Sequence, residues 1–229
     1  NINYLYKNDL MLLDFMASND WTRAVYFTSL SDIKNVLGID KYLHQEGLAH
    51  RFMPVLASDY HKDAGGVYVE GSYELLMADD IRWGNLNLPE VSVDPESRRN
   101  LLFVKQAYMR LAEALVNRNQ NDSAIAVLDK CQEFFPDEKI PYDLYMMAYP
   151  EIYYRAGAPE KADELINKII DNSLDNLRYF SELDDQFIPY YTESIRENLA
   201  IINEMSNVAA EYNRMELSKS LENTLEQEF

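Results

Sequence analysis

Three histidines are the side chains best suited to metal or acid–base chemistry in this 229-residue sequence. His44, His50 and His61 are separated by 6 and 11 residues. They form neither an HExxH motif nor a pair at helical i, i+4 spacing. Zinc sites usually hold their ligands at such short, fixed spacings. The sequence therefore predicts no metal site and no cofactor.

Carboxylates, glycines and serines do not complete a catalytic set. Adjacent acids such as Asp79-Asp80 are expected by chance among 39 acidic residues, so they do not indicate an acid–base pair. Gly65-Gly66 lacks the flanking residues of a phosphate-binding loop. No GxSxG motif is present. We expect no catalytic residue and no enzymatic activity in this chain.

One short segment is the strongest exception to that expectation. EGLAHR places Glu46, His50 and Arg51 within six residues. An ion pair between Glu46 and Arg51 that stabilises a strand is one interpretation. Contact with a ligand, or with a part of a longer protein, is a second. A third is a hydrolase site, which would require a pocket that joins all three side chains.

Composition limits the class of protein and its partners. Hydrophobic residues make up 47% of the chain, which is typical of a folded protein. The net charge of −18 argues against binding to nucleic acid or to anionic lipid. No apolar run reaches the roughly 18 residues of a membrane span. The single cysteine, Cys131, rules out an internal disulfide.

Residues 108–136, YMRLAEALVNRNQNDSAIAVLDKCQEFFP, predict two antiparallel helices joined by a polar turn. Small side chains recur where such helices cross, at Ala112, Ala124 and Cys131, and Pro136 ends the second helix. Large residues fill the other inward positions. This spacing resembles the tetratricopeptide repeat, a helical hairpin of about 34 residues.

A second hairpin follows in PEIYYRAGAPEKADELINKIIDN. Ala162 takes the position of Ala124, 38 residues later, and Ile169 takes that of Cys131. Pro150 lies inside the first helix of this hairpin, and we expect it to kink or restart that helix. The last helices, after residue 172, are expected to form a degenerate third repeat or a polar cap.

Repeat geometry predicts which residues line the concave surface of such an array. The first helix of each hairpin would present four side chains there, and a partner segment with apolar and basic side chains would fit them. The predicted groove residues are Gln106, Met109, Glu113 and Val116 in the first hairpin, and Leu144, Met147, Glu151 and Tyr154 in the second.

We predict two domains, 1–93 and 94–229. The first would be a small α+β unit with a helix over 8–18, strands near 23–28 and 49–55, and a helix over 72–79. Residues 42–46 are helical in character, and 58–71 are predicted to be a loop. The second domain would be an α-solenoid of helical hairpins, so the whole chain would be mainly α.

Several segments resemble a family of multi-pass bacterial membrane proteins. WTRAVYF at 21–27, EGLAHRFMPV at 46–55 and RWGN at 82–85 are similar, in this order, to the C-terminal region of proteins related to protein O-mannosyltransferases. Their membrane part is of the GT-C type. This chain has Arg23-Ala24 where relatives favour Arg-Pro, and His50 where an aromatic residue is common.

The resemblance implies a role outside catalysis for this segment. A family enzyme would transfer a sugar from a lipid-linked donor with acidic residues in loops of its membrane part. Those loops are absent here. The chain would then be a periplasmic domain of a membrane-anchored protein. It would bind an acceptor protein or peptide, or contact its own membrane part. The alternative is a spacer with no ligand.

Overall fold

The computed structural model describes residues 5–29, 38–57 and 65–228. Contacts divide the chain into two compact units, Asn1–Ile81 and Arg82–Phe229. Helices account for more than half of the described residues, and the strands all lie in the first unit. The predicted class, mainly α with a small N-terminal α+β part, is confirmed.

The first unit contains a four-stranded sheet in the order β1-β3-β2-β4. The strands are β1 (Tyr26–Phe27), β2 (Leu43–Glu46), β3 (Ala49–Phe52) and β4 (Gly66–Val67). Strand β3 pairs antiparallel with β1 and β2, and β4 pairs parallel with β2. The two strands predicted from sequence do pair, although β1 is only two residues long.

Residues 42–46 were expected to be helical, and that prediction is wrong. Gly47 has a φ of 65°, so the chain turns tightly there and β2 folds back on β3. Pairing with two neighbours satisfies the backbone of β2, and tertiary contacts outweigh its weak helical character. The predicted loop at 58–71 contains β4. His61 lies outside the described residues.

The described part of the first unit also contains the helices α1 (Lys7–Ser18) and α2 (Val69–Leu76). Leu12 and Met16 of α1 pack with Phe27 and Phe52 against the buried pair Ile39 and Leu43. Tyr6 holds the N-cap position of α1, and its backbone N–H donates to the Asp9 carboxylate at 2.8 Å.

The second unit is a row of helices joined by short connections, except for the longer one between α4 and α5. They are α3 (Pro95–Asn117), α4 (Asn121–Phe134), α5 (Ala148–Ala156), α6 (Pro159–Ser181), α7 (Ile188–Glu211) and α8 (Met215–Glu228). Each packs against the next along the chain, as expected for stacked hairpins. Asp94 caps α3 and accepts from the N–H groups of Glu96 and Ser97.

The residues predicted to lie at the helix crossings are completely buried. Ala112, Ala124, Cys131, Ala162 and Ile169 each have 0% exposure. In α5, Pro150 lies in the first turn, because the helix begins at Ala148 after a separate 3₁₀ turn at Leu144–Met146. The expected restart is therefore observed, since a proline is tolerated where the N–H has no intrahelical acceptor.

The segment 82–93 packs with the helices, although we drew the domain boundary after it. The Trp83 ring lies 5.2 Å from that of Phe135, centroid to centroid. Lys139 Nζ donates to the carbonyls of Pro89 and Val91. These contacts explain why the units divide after Ile81. Every helix in the described part of the chain is too short or too polar to span a lipid bilayer.

Candidate functional site

The first half of the predicted groove lies on α3. We call the side of α3 and α5 that carries the predicted groove residues their inner face. Gln106 is exposed, and Met109, Glu113 and Val116 are partly buried. Phe103, one turn earlier on the same face, is 70% exposed and was not predicted. The 3-4 residue spacing of these positions places them in one stripe. The stripe therefore combines apolar side chains with a single carboxylate.

The second half of the predicted groove is less regular. Leu144 is 46% exposed, Met147 is partly buried and Glu151 is exposed. We expected all of them on one helix. Leu144 lies in the 3₁₀ turn, and Met147 lies between that turn and α5. Pro150 is the reason, because it makes the α-helix begin only at Ala148.

Arg155 connects the two predicted carboxylates of the groove. Its Nη1 lies 3.9 Å from Glu113 Oε1 and 3.7 Å from Glu151 Oε1. Its Nη2 donates to Asn117 Oδ1 at 2.6 Å. One guanidinium thus bridges α3 and α5 and reduces the negative charge that we expected there. The pair Glu151–Arg155 at i, i+4 was a signal in the sequence that we did not use.

Tyr154 is not open to a groove, and this prediction is corrected. It is 8% exposed because the Tyr212 ring stacks on it, with 4.6 Å between the centroids. Its hydroxyl donates to Asp163 Oδ1 at 2.6 Å. Burial, with this hydrogen bond, raises the pKa of Tyr154. The repeat pattern gave no sign that Tyr212, 58 residues away, would cover this position.

Asp163 of α6 also forms an ion pair with the turn between α7 and α8. Arg214 Nε lies 2.8 Å and 3.0 Å from its two carboxylate oxygens, and Nη2 also donates to it. The residue between Tyr212 and Arg214, Asn213, has a φ of 62°, which fits the tight α7–α8 turn. We define the Tyr212 latch as Tyr154, Asp163, Tyr212 and Arg214.

A buried polar network lies beneath the inner face. Lys105 is 0% exposed; its Nζ donates to the Ile140 carbonyl at 3.1 Å and lies 4.8 Å from the centre of the Tyr142 ring. Tyr149 donates its hydroxyl hydrogen to the Lys105 carbonyl at 2.7 Å and lies 3.2 Å from Cys131 Sγ. These bonds tie α3, α4 and α5 together.

Burial sets the ionisation of this network. Desolvation lowers the pKa of Lys105 and raises the pKa of the Cys131 thiol to about 12. A thiol with such a pKa is neutral near pH 7 and is a poor nucleophile. The network is therefore a structural element, in agreement with the buried role that we predicted for Cys131.

The second candidate patch lies on the sheet of the first unit. Tyr26 donates its hydroxyl hydrogen to Glu46 Oε2 at 2.6 Å, and Arg51 Nη1 lies 3.4 Å from Glu46 Oε1. Gly71 allows this packing, because a Cβ atom there would lie 2.8 Å from Glu46 Oε1. The Glu46 hydrogen bond, with burial, raises the pKa of Tyr26.

His50 does not join that patch. It neighbours Arg51 on β3, and successive side chains on a strand point to opposite faces. The structure therefore brings Glu46 and Arg51 together but directs His50 elsewhere. His44 is buried, with Nε2 3.0 Å from the Val55 carbonyl oxygen. No cluster of three metal-ligating side chains occurs within 5–29, 38–57 and 65–228.

Comparison with known protein families matches the N-terminal part of this chain. Residues 1–70 match the family model described as TMEM260-associated domain 2, a family linked to membrane proteins that resemble protein O-mannosyltransferases. The match lies within the first unit and includes both WTRAVYF and EGLAHRFMPV. No curated protein and no solved structure matched this chain.

Proposed function

We propose that the second unit is a non-catalytic binding module that holds a protein segment on the inner face of α3 and on the segment Leu144–Met147 that precedes α5. The observation that carries this proposal is the exposure of apolar side chains on that surface. Phe103 is 70% and Leu144 is 46% exposed, and Met109 and Met147 are partly buried. Isolated apolar residues are common on surfaces, but several of them on α3 and on the 3₁₀ turn that contacts it suit a partner.

The side chains define the partner's chemistry. Methionine is unbranched and adapts to different apolar shapes, which favours a site that accepts varied sequences. Glu113 and Glu151 share one guanidinium, Arg155, so the cluster keeps a net charge of about −1 by simple counting of formal charges. An extended segment with apolar anchors and one basic side chain fits this surface best.

We also propose that the chain belongs to a larger membrane protein of the GT-C type that is related to protein O-mannosyltransferases. Support comes from the match of residues 1–70 and from the two resembling segments within it. The chain would then lie on the periplasmic side of the membrane and position an acceptor protein or a neighbouring subunit. The sugar transfer itself would belong to the membrane part.

Peptide selection followed by matched substitutions tests the binding proposal. A displayed library of random 12-residue peptides is selected against the purified chain, and affinities of the selected peptides are measured by calorimetry. We expect the double variant M109S/M147S to weaken binding at least tenfold, or about 1.4 kcal/mol. Its melting temperature provides the measure of folding.

The control is M215S, which removes an equally flexible apolar side chain from α8, where Met215 is 52% exposed. It should leave peptide affinity unchanged. If no selected peptide loses affinity in M109S/M147S, or if M215S has the same effect, the inner face is not the binding site. The module would then be a spacer, or would bind elsewhere.

Membrane topology tests the proposed parent separately. In the complete gene product, a phosphatase that is active only outside the cytoplasm is fused directly after the last residue of this chain. High activity, with the fusion in the membrane fraction, is the expected result. The same fusion is made with a reporter that is active only in the cytoplasm. If only that fusion is active, the periplasmic location is wrong, but the peptide-binding proposal is not affected.

A further inference from the structure

A cavity of about 210 Å³ lies in the seam between α6 and α7, next to the residues that precede the 3₁₀ turn. Pockets for drug-sized ligands measure roughly 300–1,000 Å³, so this one suits a single small molecule. All of its lining residues belong to the second unit, and they differ from the predicted groove residues. The cavity is therefore a candidate site separate from the groove.

Two helix faces supply most of the lining of this cavity. Residues three, four or seven positions apart share one face of a helix. The lining residues that the helices contribute at such spacings are Ser173, Asn176 and Phe180 on α6, and Glu197, Asn198 and Ile201 on α7. Polar side chains thus lie in a seam where apolar residues would normally close the space.

Ser173 is the buried hydroxyl of the cavity. It is 2% exposed, and it is the one polar residue among the nine buried residues of α6, a helix that the structure describes throughout. Helical serines often donate to the carbonyl four residues earlier, but this hydroxyl forms no hydrogen bond with the described part of the chain. Because buried hydroxyls normally have a partner, a molecule in the cavity would supply one.

Two amide side chains add donors. Asn198 is 8% exposed; its Nδ2 donates to the Ser194 carbonyl at 2.7 Å, and its Oδ1 accepts from Asn176 Nδ2 at 3.1 Å. An amide group carries two N–H bonds, and only one of each pair is used here. Asn176 and Asn198 can therefore each donate once more.

Two carboxylates add acceptors. Asp143 Oδ1 accepts from Tyr145 N at 3.0 Å, which leaves its second oxygen available. Burial raises the pKa of Asp143, so a further hydrogen-bond donor would stabilise its charged form. Glu197 is exposed, and within the described residues it forms no hydrogen bond or ion pair. The cavity thus combines free donors with free acceptors.

We propose that this cavity binds a neutral sugar ring. Each sugar hydroxyl both donates and accepts, so it can pair with a carboxylate and with an amide N–H or the Ser173 hydroxyl. A cation only donates, and it would leave the amide N–H groups without a partner. The C–H surface of the ring can pack on Phe180 and Ile201, which are 8% and 3% exposed.

Titration of the ¹⁵N-labelled chain with glucose, galactose and mannose tests the proposal. At least one of the three should produce saturable shifts of the backbone amides of Asp143, Ser173 and Asn198, with α3 unaffected. Cyclohexanol keeps a six-membered ring but has one hydroxyl, and ethanolamine is a small cation. Both should bind at least tenfold more weakly than that sugar. Saturation by none of the sugars, or equal binding of either control compound, would overturn the proposal.

Matched variants test whether the sugar contacts this cavity. S173A and E197Q should each weaken the sugar at least threefold, and the exposed E197Q decides the matter if S173A fails to fold. The controls are S206A, at a serine 4% exposed that bonds to Ser218 instead, and E204Q, at an exposed position of α7. Both controls should retain the parent affinity. Unchanged affinity in S173A and E197Q, or an equal loss in the controls, would contradict the site.

Discussion

The two central hairpins use the same crossing residues but differ on their inner faces. In α3–α4 and in α5–α6, Ala124 and Ala162 occupy equivalent positions and both are fully buried. Helix α3 spans 23 residues, with an inner face open from Phe103 onwards. Helix α5 has nine residues, and its inner end is covered by the Tyr212 latch.

This difference separates what packing requires from what binding requires. Two helices can approach closely only if small residues lie between them, so the crossing positions are constrained in both hairpins. Inner-face positions have no such constraint within a hairpin, and their environment depends on which helix comes next. The first hairpin can therefore offer its whole inner face, whereas the second has lost the part at Tyr154 to the C-terminal pair, α7 and α8.

Overpacking of the crossings should give the largest effect on stability. A124L and A162L should each lower the free energy of unfolding by roughly 1–3 kcal/mol, because the added atoms have no space. Chemical denaturation provides the measurement. A200L, at an exposed position of α7, is the control and should change little. If only one of the two crossings is sensitive, the hairpins are not equivalent.

Alkaline pH should reveal a difference between the crossings, since Cys131 in the first is replaced by Ile169 in the second. The pKa of the Cys131 thiol is raised to about 12 from 9.0 in the folded chain. The folded state therefore keeps a proton that the unfolded state has lost, and stability falls as pH rises from about 9 towards 12. This thiol should contribute up to about 1.4 kcal/mol per pH unit.

The variant C131A isolates that contribution. Other buried groups, including Lys105 and the tyrosines, titrate in both proteins, so the difference between the two pH profiles reports the thiol. We expect the profile of the parent to fall more steeply above pH 9 than that of C131A. Parallel profiles would mean that the thiol is not held in a desolvated site.

Opening the Tyr212 latch should have a smaller effect. Y212A removes the ring that stacks on Tyr154 and should destabilise the chain by about 0.5–1.5 kcal/mol. Amide exchange should increase at Tyr154 and in α8 but remain unchanged in α3. Y190A, at a position 83% exposed on α7, is the matched control. Unchanged amide exchange at Tyr154 would show that the Tyr212 ring does not cover this end of α5.

Loss of the bridge between the hairpins should have the smallest effect on stability. Arg155 is partly exposed and lies 3.7–3.9 Å from its two carboxylates, so R155A should cost less than about 1 kcal/mol. R155A should change the affinity for a bound peptide more than it changes the melting temperature, because Glu113 and Glu151 become free to bind a basic side chain. Equal affinity in the parent and R155A would exclude a contact at this cluster.

The helical hairpins of the second unit could be predicted from the sequence because their packing is local. Each helix crossing lies within a single hairpin, at Ala124 in the first and Ala162 in the second, and Pro136 marks the end of a helix. Such contacts recur at the same positions in each repeat. Strand β2 was missed because its pairing with β3 and β4 outweighs a weak local preference. Tyr154 was placed on an open face because its cover, Tyr212, comes from a distant helix, and no periodic pattern reports that contact.

The most direct test of the binding account is a map of where a selected peptide contacts the chain. Backbone amide shifts of the labelled protein are recorded as the peptide is added, and the residues that shift are located in the structure. The account predicts shifts along α3 from Phe103 to Val116 and at Leu144–Met147, with none at Tyr154 while the Tyr212 latch is closed. Shifts confined to α7 and α8, or to the first unit, would contradict it.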